Sequence, residues 1–223
     1  MFSCFEKQKL KYPAHVAVIP DGNRRYSQRM FRNTMSGHQK STDTLHNLVN
    51  WCLNNKIAEL SVFAWSSENW SRPQSEVSSA MRHFSDMLDK WLTSEQSKVS
   101  FHFVSTSPHK IDAAIRTKMN DLRMMTREHS DLKCYIYVSY GFIEDVERAQ
   151  MGDFRVSSAV PSHASDPDVL IRTSGEQRLS NFCMWHLRYT ELIFVSALFP
   201  DCDDEVWDDC VVEFNARQRR FGH

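Results

Sequence analysis

HVAVIPDGN, residues 15–23, sets a short apolar run against a proline and an Asp-Gly turn. That pattern reads as a buried strand stopped by a turn. Downstream, Leu45, Leu48, Val49, Cys52 and Leu53 recur at intervals of three and four residues and predict an amphipathic helix, and LSVFAW (60–65) is again strand-like. The unit is therefore strand, helix, strand.

The alternation continues. Val77, Ala80, Met81, Phe84, Met87, Leu88 and Trp91 keep helical spacing before a strand at FHFVS (101–105), and Ile111, Ala114, Ile115, Met119 and Leu122 keep it before CYIYVSY (134–140). Strands DVLI (168–171) and ELIFV (191–195) follow, then a helix carrying Val206, Trp207, Cys210, Val211 and Phe214. The predicted fold class is α/β, with a central, mostly parallel sheet of about six strands and surrounding helices joined by right-handed crossovers. One domain is expected over 1–223, with an N-terminal segment at 1–14 and a mobile loop at 152–167, where Ser, Pro and Asp gather without a period.

The bulk properties exclude several classes. The 223 residues are 41% hydrophobic and 25% charged, enough for one core, and the formal net charge of −1 offers no field for nucleic acid. A positive site must be a local group of arginines. The opening MFSCFEKQKLKYP lacks the apolar core of a signal peptide, and no window approaches the roughly 18–20 apolar residues of a membrane span. Six cysteines form no CxxC pair and sit mostly in apolar patterns, which predicts a reduced, cytoplasmic protein; the ten histidines show no metal-ligand spacing.

In an open parallel sheet, ligands bind beyond the carboxyl ends of the strands, so the segments just after each apolar run carry the chemistry. DGNRRY (21–26) offers an acid that could ligate Mg²⁺, a glycine permitting close backbone approach, and arginines entering a possible helix whose first amides suit phosphate. An Asp-Gly turn with solvated arginines is the plainer alternative. SSENWSRP (66–73) brings Ser66, Ser67, Glu68 and Asn69 together with Trp70 and an Arg72 held extended before proline; a capped loop into a helix starting near Glu76 would also explain it. In LIRTSGEQRLSNF (170–182), Arg172 and Arg178 flank a glycine turn and Ser180 adds a hydroxyl, a set suited to a diphosphate unless Glu176 and nearby carbonyls satisfy both arginines. DCDDEVWDDC (201–210) looks like a metal cluster but suits the start of a helix, where the dipole favours acids. His38 is more readily a satisfied histidine than a base.

Read in order, HVAVIPDGNRRY, FAWSSENWSRP and IRTSGEQRLSNF, with YTELIF and a terminal RRFG, resemble the cis-prenyltransferases, the undecaprenyl and dehydrodolichyl diphosphate synthase family, from about His15 to Gly222. The resemblance implies an Mg²⁺-dependent enzyme that adds isopentenyl diphosphate to an allylic diphosphate with cis geometry, usually as a homodimer. It implies that Asp21 is the metal aspartate with Glu191 a second acid near the metal, and that Gly22, Asn23 and Arg25 hold the allylic diphosphate, with Arg24 and His38 as further substrate contacts. Ser66, Asn69, Trp70 and Arg72 match the loop that positions substrates and assists proton loss. Arg172, Arg178 and Ser180 match the isopentenyl diphosphate pocket, and Arg220 with Gly222 the C-terminal pair that reaches across a dimer. The catalytic set is then Asp21, Ser66, Asn69 and Arg72.

The sequence departs from the family at Pro20, where Met is common, at Arg24, where bacterial members carry Gly, and at Thr34, where an arginine usually meets the allylic diphosphate. SYGF (139–142) lacks the bacterial Asn, and the segment from 142 to 167 is short. Trp65, Met81, His83 and Phe84 are the candidate plugs of a product tunnel. A short-chain synthase and a non-catalytic subunit are the competing readings; Asp21, Arg25, Arg172, Arg178 and Glu191 are all retained, which favours catalysis. A long polyprenyl product would also favour peripheral contact with a membrane, each buried methylene contributing about 0.8 kcal/mol.

Overall fold

The computed structural model describes residues 10–31, 35–94, 98–151 and 164–222. Six strands, β1 (His15–Ile19), β2 (Glu59–Ser66), β3 (Val99–Val104), β4 (Leu132–Tyr140), β5 (Val169–Arg172) and β6 (Glu191–Phe194), alternate with six α-helices. These are α1 (Asn23–Phe31), α2 (Met35–Asn54), α3 (Gln74–Thr93), α4 (Ala113–Met125), α5 (Phe142–Met151) and α6 (Asp204–Ala216). The sheet order is β3-β4-β2-β1-β5-β6 and every adjacent pair is parallel, so the expected mostly parallel sheet is wholly so.

HVAVI is β1, and all five of its residues are buried because β2 and β5 flank it and both faces are covered. Val16 and Val18 join Leu60, Val62, Cys134 and Ile136 under α2, α3, α4 and α6. Ala17 and Ile19 point the other way, to a second cluster with Phe63, Tyr135, Tyr137 and Leu170 that Phe182, Cys183 and Leu187 close. The stripe predicted on α3 is buried at Val77, Ala80, Phe84, Met87, Leu88 and Trp91. Met81 lies beside it, half-buried.

Several local expectations change. Helix α3 begins at Gln74, two residues before Glu76, with Pro73 at its N-cap and no side-chain cap. Helix α5 has no counterpart in the sequence reading. Phe142, Val146 and Ala149 do recur at helical spacing, but they are only three apolar positions in a ten-residue stretch. The acidic run is the start of α6: Asp203 caps it, accepting from the Val206 N–H at 3.2 Å.

Most of the loop expected at 152–167 lies outside the described residues. Its end is anchored, since Ser165 donates its N–H to Glu59 Oε2 at 3.0 Å and its carbonyl meets His15 Nδ1 at 2.8 Å. Among the described residues five cysteines are free and buried, no helix is long and apolar enough to cross a membrane, and no three His, Cys, Asp or Glu side chains gather to hold a metal.

Candidate active site

Beyond the carboxyl ends of β1, β2 and β5 lies a cleft of about 700 Å³. One end is polar and the other apolar. Asp21 sits two residues past β1, where its backbone is held from three sides: Thr173 Oγ1 accepts the Asp21 N–H at 2.8 Å and donates to the Asp21 carbonyl at 2.8 Å, and the Phe199 N–H donates to that carbonyl at 2.9 Å. Gly22 follows with φ of 105°, and a Cβ there would meet Leu198 Cδ2 at 2.9 Å. Only glycine fits both demands. Helix α1 then starts at Asn23, whose side-chain oxygen accepts from Ser41 Oγ at 2.7 Å.

The arginines are held around two carboxylates. Arg172, 4% exposed, donates from Nη2 to Asp21 Oδ2 at 3.0 Å and from Nη1 to Ser180 Oγ at 2.8 Å and to the Arg178 carbonyl, while its buried Nε has no partner. Arg25 reaches Glu176 Oε1 at 2.9 Å and the Ser174 carbonyl at 3.1 Å, and Arg178 reaches the other oxygen of Glu176 at 2.5 Å. Of the pair Arg172 and Arg178, Glu176 therefore takes only Arg178; Arg172 is held by Asp21, Ser180 and the Arg178 carbonyl. Glu176 stands as an internal anion among cations that face the cleft. Arg24 is exposed on the cleft wall and forms no ion pair among the described residues.

On the opposite lip, the residues after β2 form a 3₁₀ turn. The Ser66 N–H donates to Asn69 Oδ1 at 3.1 Å, so the two are locked to each other. Arg72 pairs with Glu76 at 2.8 Å and lies 5.4 Å from the Trp65 ring, a cation–π contact that orients it over the cleft. Trp70 packs edge-on against Trp65 and donates to Ser139 Oγ at 2.8 Å. The apolar end is lined by Leu45, Val62, Phe63, Ala64, Trp65, Ala80, Phe84 and Met87. His83 also lines it; burial lowers its pKa against the pull of Asp86, with Arg82 adding to the fall, so it presents a neutral ring. Of the four candidate plugs, Trp65, His83 and Phe84 line the cleft and Met81 does not.

Not every candidate is brought here. Glu191 opens β6 level with Val169 and Val16, at the end of the sheet where the strands begin, and pairs with Arg217 at 3.0 Å. It is about five strand residues, roughly 16 Å, from the level of Asp21. Within one chain Asp21 and Glu191 are not brought together, which strand register decides and sequence order cannot. Arg220 and Gly222 follow α6 at that same far end, Arg220 bonded to Gln218 at 3.0 Å. His38 lies on α2 with its side chain outside the described residues, and Thr34 lies outside them altogether. Thr173 and Phe199 escaped the sequence reading; their position just after apolar strands was the available signal.

The cations gathered at one end of the cleft, with an apolar slot leading away between α2, α3 and β2, suit a molecule that joins an anionic head to a hydrocarbon tail, as the substrates of prenyl transferases do. The comparisons with known proteins agree. Residues 19–222 match the prenyltransferase family model described as undecaprenyl diphosphate synthase. An isoprenyl transferase of Neisseria meningitidis serogroup B is 34% identical over 94% of this chain and 89% of its own length. A ditrans,polycis-undecaprenyl-diphosphate synthase, (2E,6E)-farnesyl-diphosphate specific, of Legionella pneumophila is 32% identical over 95% of this chain and 96% of its own. The crystal structure of lavandulyl diphosphate synthase from Lavandula x intermedia, in complex with dimethylallyl diphosphate, superposes with a TM-score of 0.84 at 26% identity, covering 95% of this chain and 98% of that one. The chain belongs to the undecaprenyl diphosphate synthase family of cis-prenyltransferases.

Proposed function

We propose that the cleft condenses isopentenyl diphosphate with an allylic diphosphate. The bond from the allylic carbon to its diphosphate breaks, a carbon–carbon bond forms to the terminal carbon of isopentenyl diphosphate, and that partner loses a proton. The observation that carries this reading is the buried Arg172, which joins Asp21 to Ser180 beneath a cleft with one cationic and one apolar end. Gly22, Asn23, Arg24 and Arg25 are proposed to hold the allylic diphosphate. Arg172, Arg178 and Ser180 would hold that of isopentenyl diphosphate, with Glu176 giving way to the incoming anion. Ser66, Asn69 and Arg72 would set the acceptor and its departing proton, with Trp70 as the wall.

Asp21 is the residue proposed to hold Mg²⁺. A single carboxylate fits that ion, which keeps several waters and takes its remaining oxygens from substrate phosphates. Bound there, it would neutralise charge on the leaving diphosphate. Glu191, Arg220 and Gly222 could serve a site only in a second copy of the chain. The exposed Met184, Trp185, Tyr189 and Phe221 supply apolar surface for such a homodimer.

Product length has a second reading, and the depth of the cleft favours it. The lining stretch of α3, Glu76 to Met87, rises about 16 Å at 1.5 Å per residue. Beyond it Leu48, Leu60 and Leu88 are wholly buried, and Trp91 lies against Phe101 at 4.5 Å. A four-bond isoprene repeat spans roughly 4–5 Å when extended, so about three units fit. That is a short-chain product rather than the long one in the Legionella relative's name.

The test is incubation with Mg²⁺, labelled isopentenyl diphosphate and dimethylallyl, geranyl or farnesyl diphosphate in turn, with product sizing and Asp21→Ala as control. Incorporation lost in the variant is expected. Chains far beyond three units refute the short reading, and no incorporation with any primer refutes catalysis by this chain alone.

A further inference from the structure

Glu144 lies outside the cleft, in the first turn of α5, yet it touches both substrate loops. Its Oε1 accepts from Ser67 Oγ at 2.5 Å, and its Oε2 accepts from Asn181 Nδ2 at 3.2 Å. Ser67 sits between Ser66 and Asn69 in the loop after β2. Asn181 follows Ser180 in the loop after β5.

The surroundings are built for this bridge. Asn181 also accepts the Ile143 N–H on its side-chain oxygen at 2.9 Å and the Phe142 N–H on its carbonyl at 2.9 Å, so it is clamped to the start of α5 at three points. The clamp holds a backbone that needs holding: Ser180, Asn181 and Cys183 have φ of 51°, 60° and 45°, a left-handed run that surrounding contacts must stabilise. Gly141 lies directly beneath. A Cβ there would meet Glu144 Oε2 at 2.1 Å, Ser67 Oγ at 2.5 Å and Asn181 Nδ2 at 2.7 Å, the three atoms of the bridge itself. Burial pushes the Glu144 carboxyl up, but hydrogen bonds from Ser67, its own backbone and Asn181 outweigh that and hold it below the ordinary range. The acceptor is therefore ionised at neutral pH, at a helix start that favours negative charge.

We propose that Glu144 is a positioning residue that sets the spacing between the two diphosphate-bearing substrates by pinning the loop after β2 to the loop after β5. The inference rests on the assignment of those loops made above. Reaction between two bound substrates is far more sensitive to their relative placement than the binding of either is, and a displacement of about 1 Å can cost about 100-fold in rate. Loss of the bridge should therefore appear in turnover and not in affinity.

Glu144→Ala, Ser67→Ala and the double variant would be assayed for kcat, with the dissociation constant of each diphosphate measured separately by calorimetry in the absence of the other, and with thermal midpoints alongside. The expected result is a fall in kcat of about 10- to 100-fold, each dissociation constant within about twofold of the parent, and a double variant no worse than Glu144→Ala. Glu144→Gln, which can still meet both partners once the Ser67 hydroxyl turns, should recover most of the rate. A parent-like kcat in Glu144→Ala, or a fall matched by weaker binding of both substrates and a lowered midpoint, overturns the proposal. Parent enzyme that incorporates no isopentenyl diphosphate would instead overturn the functional reading on which it rests.

Discussion

Glu176 shows how single residues keep this site ready for an anion. It accepts from Arg25 and Arg178, and under the proposed function it is the group that an incoming diphosphate would displace. Such half-exposed pairs are worth about 0.2–1 kcal/mol. Glu176→Gln should therefore lower the Michaelis constant for isopentenyl diphosphate by about two- to fivefold, read by initial rates at low ionic strength; an unchanged or higher constant would mean that the carboxylate does not compete with substrate. Arg172 is different in kind. It is almost wholly buried and its partners are fixed before any ligand arrives, so it serves as a preorganised cation.

Among the elements, α3 combines two tasks on one helix. Its buried stripe packs on the sheet, and Ala80, Phe84 and Met87 of that same stripe also line the apolar end of the cleft. If the apolar end holds the growing chain as proposed, core packing and product length are coupled. Phe84→Ala should lengthen the product by at least one isoprene unit while lowering stability by about 3–5 kcal/mol, the usual cost of truncating a buried aromatic. Product sizing below the melting range separates the two effects, and an unchanged product distribution would remove Phe84 from the set of length-limiting side chains. The loop after β2 works by the same economy: the Ser66–Asn69 bond that shapes its turn also fixes two residues proposed to face substrate.

Across the whole molecule the two ends of the sheet have separate roles. The carboxyl end carries the cleft, while the amino end is tied by ionisable groups, with Asp168 accepting from the Ala14 and His15 N–H groups and from Arg219. Burial lowers the His15 pKa below 6.5 against the pull of Glu59, so the folded chain holds it neutral where the unfolded chain takes up a proton. The unfolded state then binds more protons, and stability falls as pH drops below 6.5. Asp168 acts in a lower window: burial raises its pKa, but its hydrogen bonds bring it below 3.8 on balance, so its contribution is present above that value and lost on acidification. Thermal midpoints should decline as pH falls below 6.5, and also as pH rises past the ordinary thiol value of 9.0, because burial keeps the Cys52, Cys134, Cys183, Cys202 and Cys210 thiols protonated in the folded chain alone; His15→Gln should flatten the first part of the acid-side decline. The far-end position of Arg220 gives the other test at this scale. Mixing separately inactive Asp21→Ala and Arg220→Ala proteins should restore turnover if a second copy completes the site, and a mixture as inactive as its components would argue for a self-sufficient chain.

The alternation of strands and helices along the chain was legible in the sequence because short apolar runs ending in turn residues recur between helical periods, and HVAVI and ELIF fall where their patterns place them. The loops that carry the site were legible for a related reason: in a parallel sheet, the residues after each strand share one edge. Residues 142–151 were not read as a helix although Phe142, Val146 and Ala149 keep helical spacing, because so short a period is weak by itself; contacts with the Asn181 loop hold the start of α5. Nor could spacing along the chain place Glu191. It is an acid in a well-formed motif, and only the register of β6 on β5 puts it at the opposite end from Asp21. Local pattern thus determined the alternation of strands and helices along the chain and the edge of the sheet that carries the cleft, while the order β3-β4-β2-β1-β5-β6 came with the tertiary structure. Register, the left-handed turns at 180–183 and the meeting of Ser67, Glu144 and Asn181 over Gly141 depend on side chains far apart in sequence, and those contacts exist only once the chain has folded.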